Sequence, residues 1–308
     1  MRVKCVRTSK ETQYISVSQG QECSVVTMEG QGAIQALPEE MLIIIFSFLE
    51  QQDLPMAVLV CRAWREVGEL PWLWHKEEVV LGKQQVHNIQ VLGSRRLEHV
   101  KRVHILPKYR MNEAQAEAVF QEILEHKSIK ELNISQSDLS RVSSETLAMV
   151  VNSMEQVNMF NAKLTSEQCE QLFQHMAAHT RLAVLSIGCV NISGVTPATL
   201  AAGLNRVSIA RLCSTAITTT QLEALFTGMA QGSELKEVDL GHNKLTEVDT
   251  NVIAHAIKNM ETVKLYDTHI SRNQIERIIH NIGGKLRTLD ICFCFCFCRC
   301  RIKRGFPI

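Results

Sequence analysis

The chain has 308 residues, 45% of them hydrophobic and 21% charged, the make-up of a water-soluble fold of about two domains. A formal net charge of +1 supplies no global field to gather nucleic acid or an anionic membrane. No run of 18 apolar residues occurs, so no membrane-spanning helix is predicted.

Residues 1–33 are polar, rich in Gln, Ser, Thr and Gly, and predict a disordered tail. The opening stretch is basic but lacks the apolar segment and cleavage site of a secretory signal. Of eleven cysteines, Cys5, Cys23, Cys61, Cys169, Cys189 and Cys213 are scattered singly. Without a signal peptide, such thiols read as reduced, which places the chain in the cytoplasm or nucleus.

Order is expected from about residue 34 to residue 80. Pro38 fits a first helical position, and Glu39 and Glu40 suit the positive end of that helix, which should run to about Glu50. Leu42, Ile45, Phe46 and Leu49 form one apolar stripe, and Ile43 and Ile44 widen it to most of the circumference. A helix apolar nearly all round wants cover on more than one side. Asp53 is a candidate cap for a second helix carrying Leu54, Val58, Cys61 and Arg65 on one line. After Gly68, a third short helix should open at Pro71, Trp72, Leu73 and Trp74. Thirty-odd residues so rich in large apolar side chains bury them poorly without outside help.

The string LPEEMLxxIFSFLExxDLxxAxxVCRAWRExxxxPxLW, from Leu37 to Trp74, resembles an F-box. That resemblance implies docking on the Skp-type adaptor of a cullin–RING ubiquitin ligase. It further implies that Leu37, Pro38, Leu42, Ile45, Leu49, Leu54, Val60, Trp64, Leu73 and Trp74 build or contact the adaptor interface.

Residues 81–99 form a bridge, and a repeat occupies residues 100–291, seven to eight units in all. The frame L-x-x-L-x-L-x-x-(N/C)-x-L fits Leu235, Val238, Leu240, Asn243 and Leu245. Further starts fall at Val100, Ile129, Met154, Leu182, Val207, Met260 and Leu286, and alternating intervals of 25 and 28 residues hint at a double unit of 53. The residue after the last frame leucine is Ser140, Thr165, Ser193, Thr218, Thr246 or Ser271, each a candidate helix cap. Thr165, Thr218 and Ser271 also have glutamine three residues on, the capping-box spacing. Each unit is therefore read as strand, capped turn and helix. Such units stack into an α/β solenoid resembling ribonuclease-inhibitor-type leucine-rich repeats, preceded by the small three-helix F-box.

No catalytic residue, cofactor site or metal site is predicted. The chain lacks a phosphate-binding loop, G-x-S-x-G and H-E-x-x-H, and the His175 and His179 pair has no clustered carboxylate or cysteine. Along the strands, alternation turns frame positions 5 and 7 away from the core. On that concave face Phe160, Arg211, Asp239, Lys264 and Tyr266 are candidates for contact with a protein substrate. The cysteine-rich stretch 292–308 has three readings: a low-complexity end truncating a longer array, a lipid-modified tail, or a thiolate metal site.

The resemblance to F-box proteins with leucine-rich repeats implies a non-catalytic substrate receptor of a Skp–cullin–F-box ubiquitin ligase that binds an unidentified protein and no nucleic acid. The rival is an adaptor-independent repeat scaffold or inhibitor whose helical segment only caps the array.

Overall fold

The computed structural model describes residues 3–7, 12–16, 37–49, 53–70, 73, 78–81, 100–106, 112–281, 286–291 and 300–303. The chain divides into two compact units, Met1–Glu69 and Leu70–Ile308.

In the first unit, β1 (Val3–Arg7) pairs antiparallel with β2 (Thr12–Ser16), within the stretch read from sequence as a disordered tail. The helical part comprises α1 (Glu39–Ser47), α2 (Leu54–Ala57) and α3 (Arg62–Gly68). Pro38 stands one place outside α1, and its carbonyl accepts from the Met41 and Leu42 N–H groups. The single helix expected from Asp53 is in fact two. Cys61 is fully extended (φ −157°, ψ 175°), which breaks the hydrogen-bond ladder and lets α3 pack on both α1 and α2. Leu42, Phe46, Leu54, Ala57, Val58 and Val67 form the core, and Phe46 meets Trp64 edge to face at 5.2 Å. Gly68 is required there, because a Cβ would stand 2.3 Å from a Val58 methyl.

The second unit begins with β3 (Glu78–Leu81) and β4 (Arg102–Ile105). Strands and helices then alternate. They are α4 (Glu113–Glu125), β5 (Glu131–Asn133), α5 (Ser144–Ser153), β6 (Gln156–Asn158), α6 (Ser166–Ala178), β7 (Val184–Ser186) and α7 (Pro197–Leu204). There follow β8 (Ile209–Arg211), α8 (Thr219–Gln231), β9 (Glu237–Asp239), α9 (Thr250–Ile257), β10 (Thr262–Lys264), α10 (Arg272–Asn281) and β11 (Thr288–Ile291). Each strand from β3 to β11 pairs in parallel with the next, and each helix from α4 packs on its successor. A parallel sheet whose order is its sequence order, with all helices on the return path, is a leucine-rich-repeat solenoid. The tenth strand, β12 (Cys300–Lys303), pairs antiparallel with β11 and covers the open parallel edge. It lies in the stretch where the sequence shows no repeat logic; residues 292–299 lie outside the described residues.

Alternation of 25 and 28 residues has a physical cause. In the 28-residue units the helix has 13 residues, as in α6 and α8, whereas α5, α7 and α9 have 8 to 10 and begin three residues later in the frame. Caps follow suit. Thr165 and Thr218 form full capping boxes with Gln168 and Gln221, as does Asn112 with Gln115, and Ser271 bonds Gln274 likewise. In the shorter-helix units the N-cap is Ser143, Thr196 or Asp249, not the expected Ser140, Ser193 or Thr246. Ser140 and Ser193 instead donate through backbone and hydroxyl to Asp138 and Asn191, closing local turns before the helix starts.

The wider turn is held from the next unit. Gln168, almost fully buried, donates to the carbonyls of Leu139 and Val142 at 2.8 and 2.7 Å. Gln221 does the same to Ile192 and Val195, at 2.8 and 2.6 Å. Phe120, Phe173 and Phe226 repeat at the same 53-residue spacing and are fully buried.

Candidate interaction surfaces

α1 is apolar on two opposite faces. Leu42 and Phe46 turn inward, while Met41, Ile44, Ile45 and Phe48, at i, i+3, i+4 and i+7, turn outward. Phe48 is 83% exposed. Met56, Leu59 and Val60, in α2 and the turn after it, are exposed as well. Seven of the eleven large apolar side chains exposed among the described residues therefore fall between residues 41 and 60. Concentration of this kind on a small unit marks a protein-binding surface rather than ordinary scatter.

This distribution sorts the residues expected at an adaptor interface. Leu42 and Leu54 are core residues that shape the unit from inside, and Pro38, Ile45 and Val60 are exposed. Leu37, Leu49, Trp64 and Leu73 are half-buried, and Trp74 lies outside the described residues. Met41, Ile44, Phe48, Met56 and Leu59 extend the surface beyond that set. Ile44 was legible as a widened stripe; the other four carry no local signal that separates inward from outward.

On the concave face, frame position 5 has a structural duty. Asn133, Asn158 and Asp239 each accept the backbone N–H two residues on, from Ser135, Phe160 and Gly241, all at 3.1 Å. Asp239 is only 9% exposed, and its second oxygen accepts from Lys264 Nζ and the Tyr266 hydroxyl, both at 3.4 Å. Burial, reinforced by the Asp239 carboxylate, raises the Tyr266 phenol well above its usual range, so it stays a donor. Burial likewise pushes up the neighbouring Cys213 thiol, with Asp239 and Cys189 adding to the effect. The Tyr266 ring lies across Gly241, where a Cβ would come within 2.3 Å of it, and meets His242 edge-on at 5.2 Å. Phe160 and the Cys213 sulfur close over Gly188 in the same way. Of the five concave candidates, Asp239, Lys264 and Tyr266 thus form one internal network, while Phe160 and Arg211 stand free of it and exposed.

Among the described residues no group of three or more His, Cys, Asp or Glu could hold a metal ion, and no helix is long and apolar enough to cross a membrane.

Residues 34–76 match the F-box-like family. The chain carries an F-box-like domain. The match contains the whole outward apolar stripe of α1 and the exposed turn after α2. No curated protein matches the chain. Among solved structures it is similar to the leucine-rich repeat-containing protein LegL7 from Legionella pneumophila, at 14% identity and a TM-score of 0.49, over 70% of this chain and 72% of that one. It is also similar to a chain of the yeast Rad7 and Elc1 complex, at 12% identity and a TM-score of 0.41, over 82% and 88%. The architecture is an F-box-like domain followed by a leucine-rich-repeat solenoid.

Proposed function

We propose that the chain is the substrate-recognition subunit of a Skp–cullin–F-box ubiquitin ligase. The F-box-like domain docks the Skp-type adaptor, and through it a cullin and a RING subunit, while the repeats hold a protein substrate. One observation carries the reading: the F-box-like match falls on the segment where exposed apolar side chains are concentrated. In this reading Pro38, Ile45 and Val60 touch the adaptor together with Met41, Ile44 and Phe48. Leu42 and Leu54 hold that surface in shape, and the half-buried Leu37, Leu49 and Trp64 complete it. The chain makes and breaks no bonds itself. It raises the effective concentration of substrate lysines near a charged conjugating enzyme, a proximity effect that acts through positioning alone. Such a receptor works in the cytoplasm or nucleus.

The test is a binding titration with purified Skp-type adaptor, using the wild-type chain and a Leu37→Ala/Pro38→Ala variant. Saturable binding by the wild type, weakened in the variant, supports the assignment. Absence of binding by the folded wild type sinks it and leaves the adaptor-independent scaffold.

A further inference from the structure

Outward-facing charges on the two flanks of the concave sheet are largely paired off. Lys130 meets Glu155 at 2.8 Å on one side, and Lys264 meets Asp239 at 3.4 Å and Glu261 meets Arg287 at 3.9 Å on the other. Between them the face changes character. Val184 and Ile209 are in register on β7 and β8, both half-buried, and Phe160 stands exposed in the turn two residues after β6. Four residues along the chain, from position 3 to position 7, span roughly 13 Å, with Ser186 of β7 between them. Arg211 rises beside this apolar strip. It is exposed, and its guanidinium makes no hydrogen bond or ion pair with another described residue. The carboxylate next to it in register, Asp239, is already saturated by Gly241, Lys264 and Tyr266. Lys236 and Glu237 offset one another in charge at the β9 margin.

Resting on the substrate-receptor reading, we propose that β6–β8 bind an extended, acidic segment of a protein. One apolar side chain of that segment sits on Val184 and Ile209, a second reaches Phe160, and a carboxylate between them in sequence pairs with Arg211. A carboxylate fits better than a phosphate. Phosphate recognition draws on clusters of arginines, whereas here a single guanidinium is available and Lys264 is committed to Asp239. Desolvation by the apolar side chains strengthens the pair, and the planar fork of Arg211 donates to a carboxylate in bidentate fashion.

A random 12-residue peptide library displayed on phage, selected against the purified full-length chain, tests this. Selection should enrich peptides with Ile, Leu, Val, Phe or Met within three residues of Asp or Glu. Synthetic peptides so selected should bind Arg211→Glu about 10- to 100-fold more weakly, the worth of one charge-assisted contact. Phe160→Ser should weaken them too, and thermal melting should show both variants folded. Selection with no consensus, a consensus that is basic, affinities unchanged in both variants, or binding that requires replacing the Asp or Glu of the synthetic peptides by phosphoserine would overturn the proposal. So would dimerisation of the wild type that Arg211→Glu abolishes, since that assigns the face to a second copy. Adaptor binding measured on the same preparations separates the two failures: adaptor bound with a flat selection rejects this site and leaves the receptor reading standing.

Discussion

Replacing Gln168 by alanine probes the joint between units most directly. Its amide donates to two carbonyls of the preceding unit, and its oxygen accepts the Thr165 N–H at 2.8 Å. Alanine removes all three bonds and leaves the Leu139 and Val142 carbonyls without this donor in a buried setting. Each lost bond is worth about 1 kcal/mol net, and the one carbonyl left without a donor, that of Val142, costs about 1–3 kcal/mol more, so a loss of about 4–6 kcal/mol is expected. Gln274 is the internal control. It has the same capping role but is less buried and makes one bond to the preceding unit, to the Thr246 carbonyl at 3.2 Å. Gln274→Ala should cost about 1–2 kcal/mol on the same basis. Urea unfolding followed by circular dichroism gives the difference, and amide hydrogen exchange at Leu139 to Val142 localises it. Equal losses in the two variants, or unchanged protection of that turn in Gln168→Ala, would refute the assignment of a tying role to the buried amide.

Ile44→Asp/Phe48→Asp should abolish adaptor binding, a loss of at least about 30-fold if either residue is an interface hot spot, while leaving the melting temperature nearly unchanged because both side chains are exposed. Spectrophotometric titration should show a phenol ionising well above the usual tyrosine range and missing from Tyr266→Phe, because burial and the Asp239 carboxylate oppose the Tyr266 phenolate. In Gly241→Ala that tyrosine should return toward its ordinary range, since the new methyl displaces the ring. Glu170 accepts from the Thr196 N–H at 2.7 Å. Partial burial opposes ionisation, but this bond and those from Thr199 and Gln174 outweigh it and hold the carboxyl below its usual range. A depressed carboxylate stabilises the fold above its unfolded value of 4.5 and loses that contribution as pH falls through the folded value. Glu170→Gln should therefore flatten the acid limb of a stability-against-pH curve, as read by urea midpoints between pH 3 and pH 7.

What the sequence disclosed was whatever rests on periodicity. Frame leucines, the 25- and 28-residue intervals and the Thr165–Gln168 and Thr218–Gln221 boxes are local patterns, and the chain folds as they dictate. The over-wide stripe of α1 was visible for the same reason, although its division into an inward and an outward face depends on where α3 packs. Local pattern misled where one residue type serves two geometries. A serine after the last frame leucine can cap a helix or close a turn on the preceding Asp138 or Asn191, and only the helix start three residues later decides. Asp239 looked like a concave contact because strand alternation gives direction and not occupancy. Its partners Lys264 and Tyr266 come from the next unit, 25 and 27 residues away.

Joints between units show why the array alternates at all. A 28-residue unit reaches in both directions. Gln168 of α6 ties back to the turn before it, and Glu170, two residues further along the same helix, reaches forward to the Thr196 N–H at the start of α7. One unit earlier in the 53-residue cycle, Glu117 of α4 accepts from the Ser143 N–H and the Thr146 hydroxyl at the start of α5. Units of 25 residues, with their short helices, receive these contacts. After α8 the forward contact changes chemistry: Glu223 stands at the place of Glu117 and Glu170, but the N-cap ahead is Asp249, which caps its own helix through the Asn251 N–H, and Thr219 of α8 donates forward to Glu247 instead. Asn243 takes over that joint, accepting the Thr215 N–H and donating to the Leu212 carbonyl from inside the turn. These bonds tie the turns and helix starts of neighbouring units together, while the parallel ladder of β5–β9 sets strand spacing and register on the concave face.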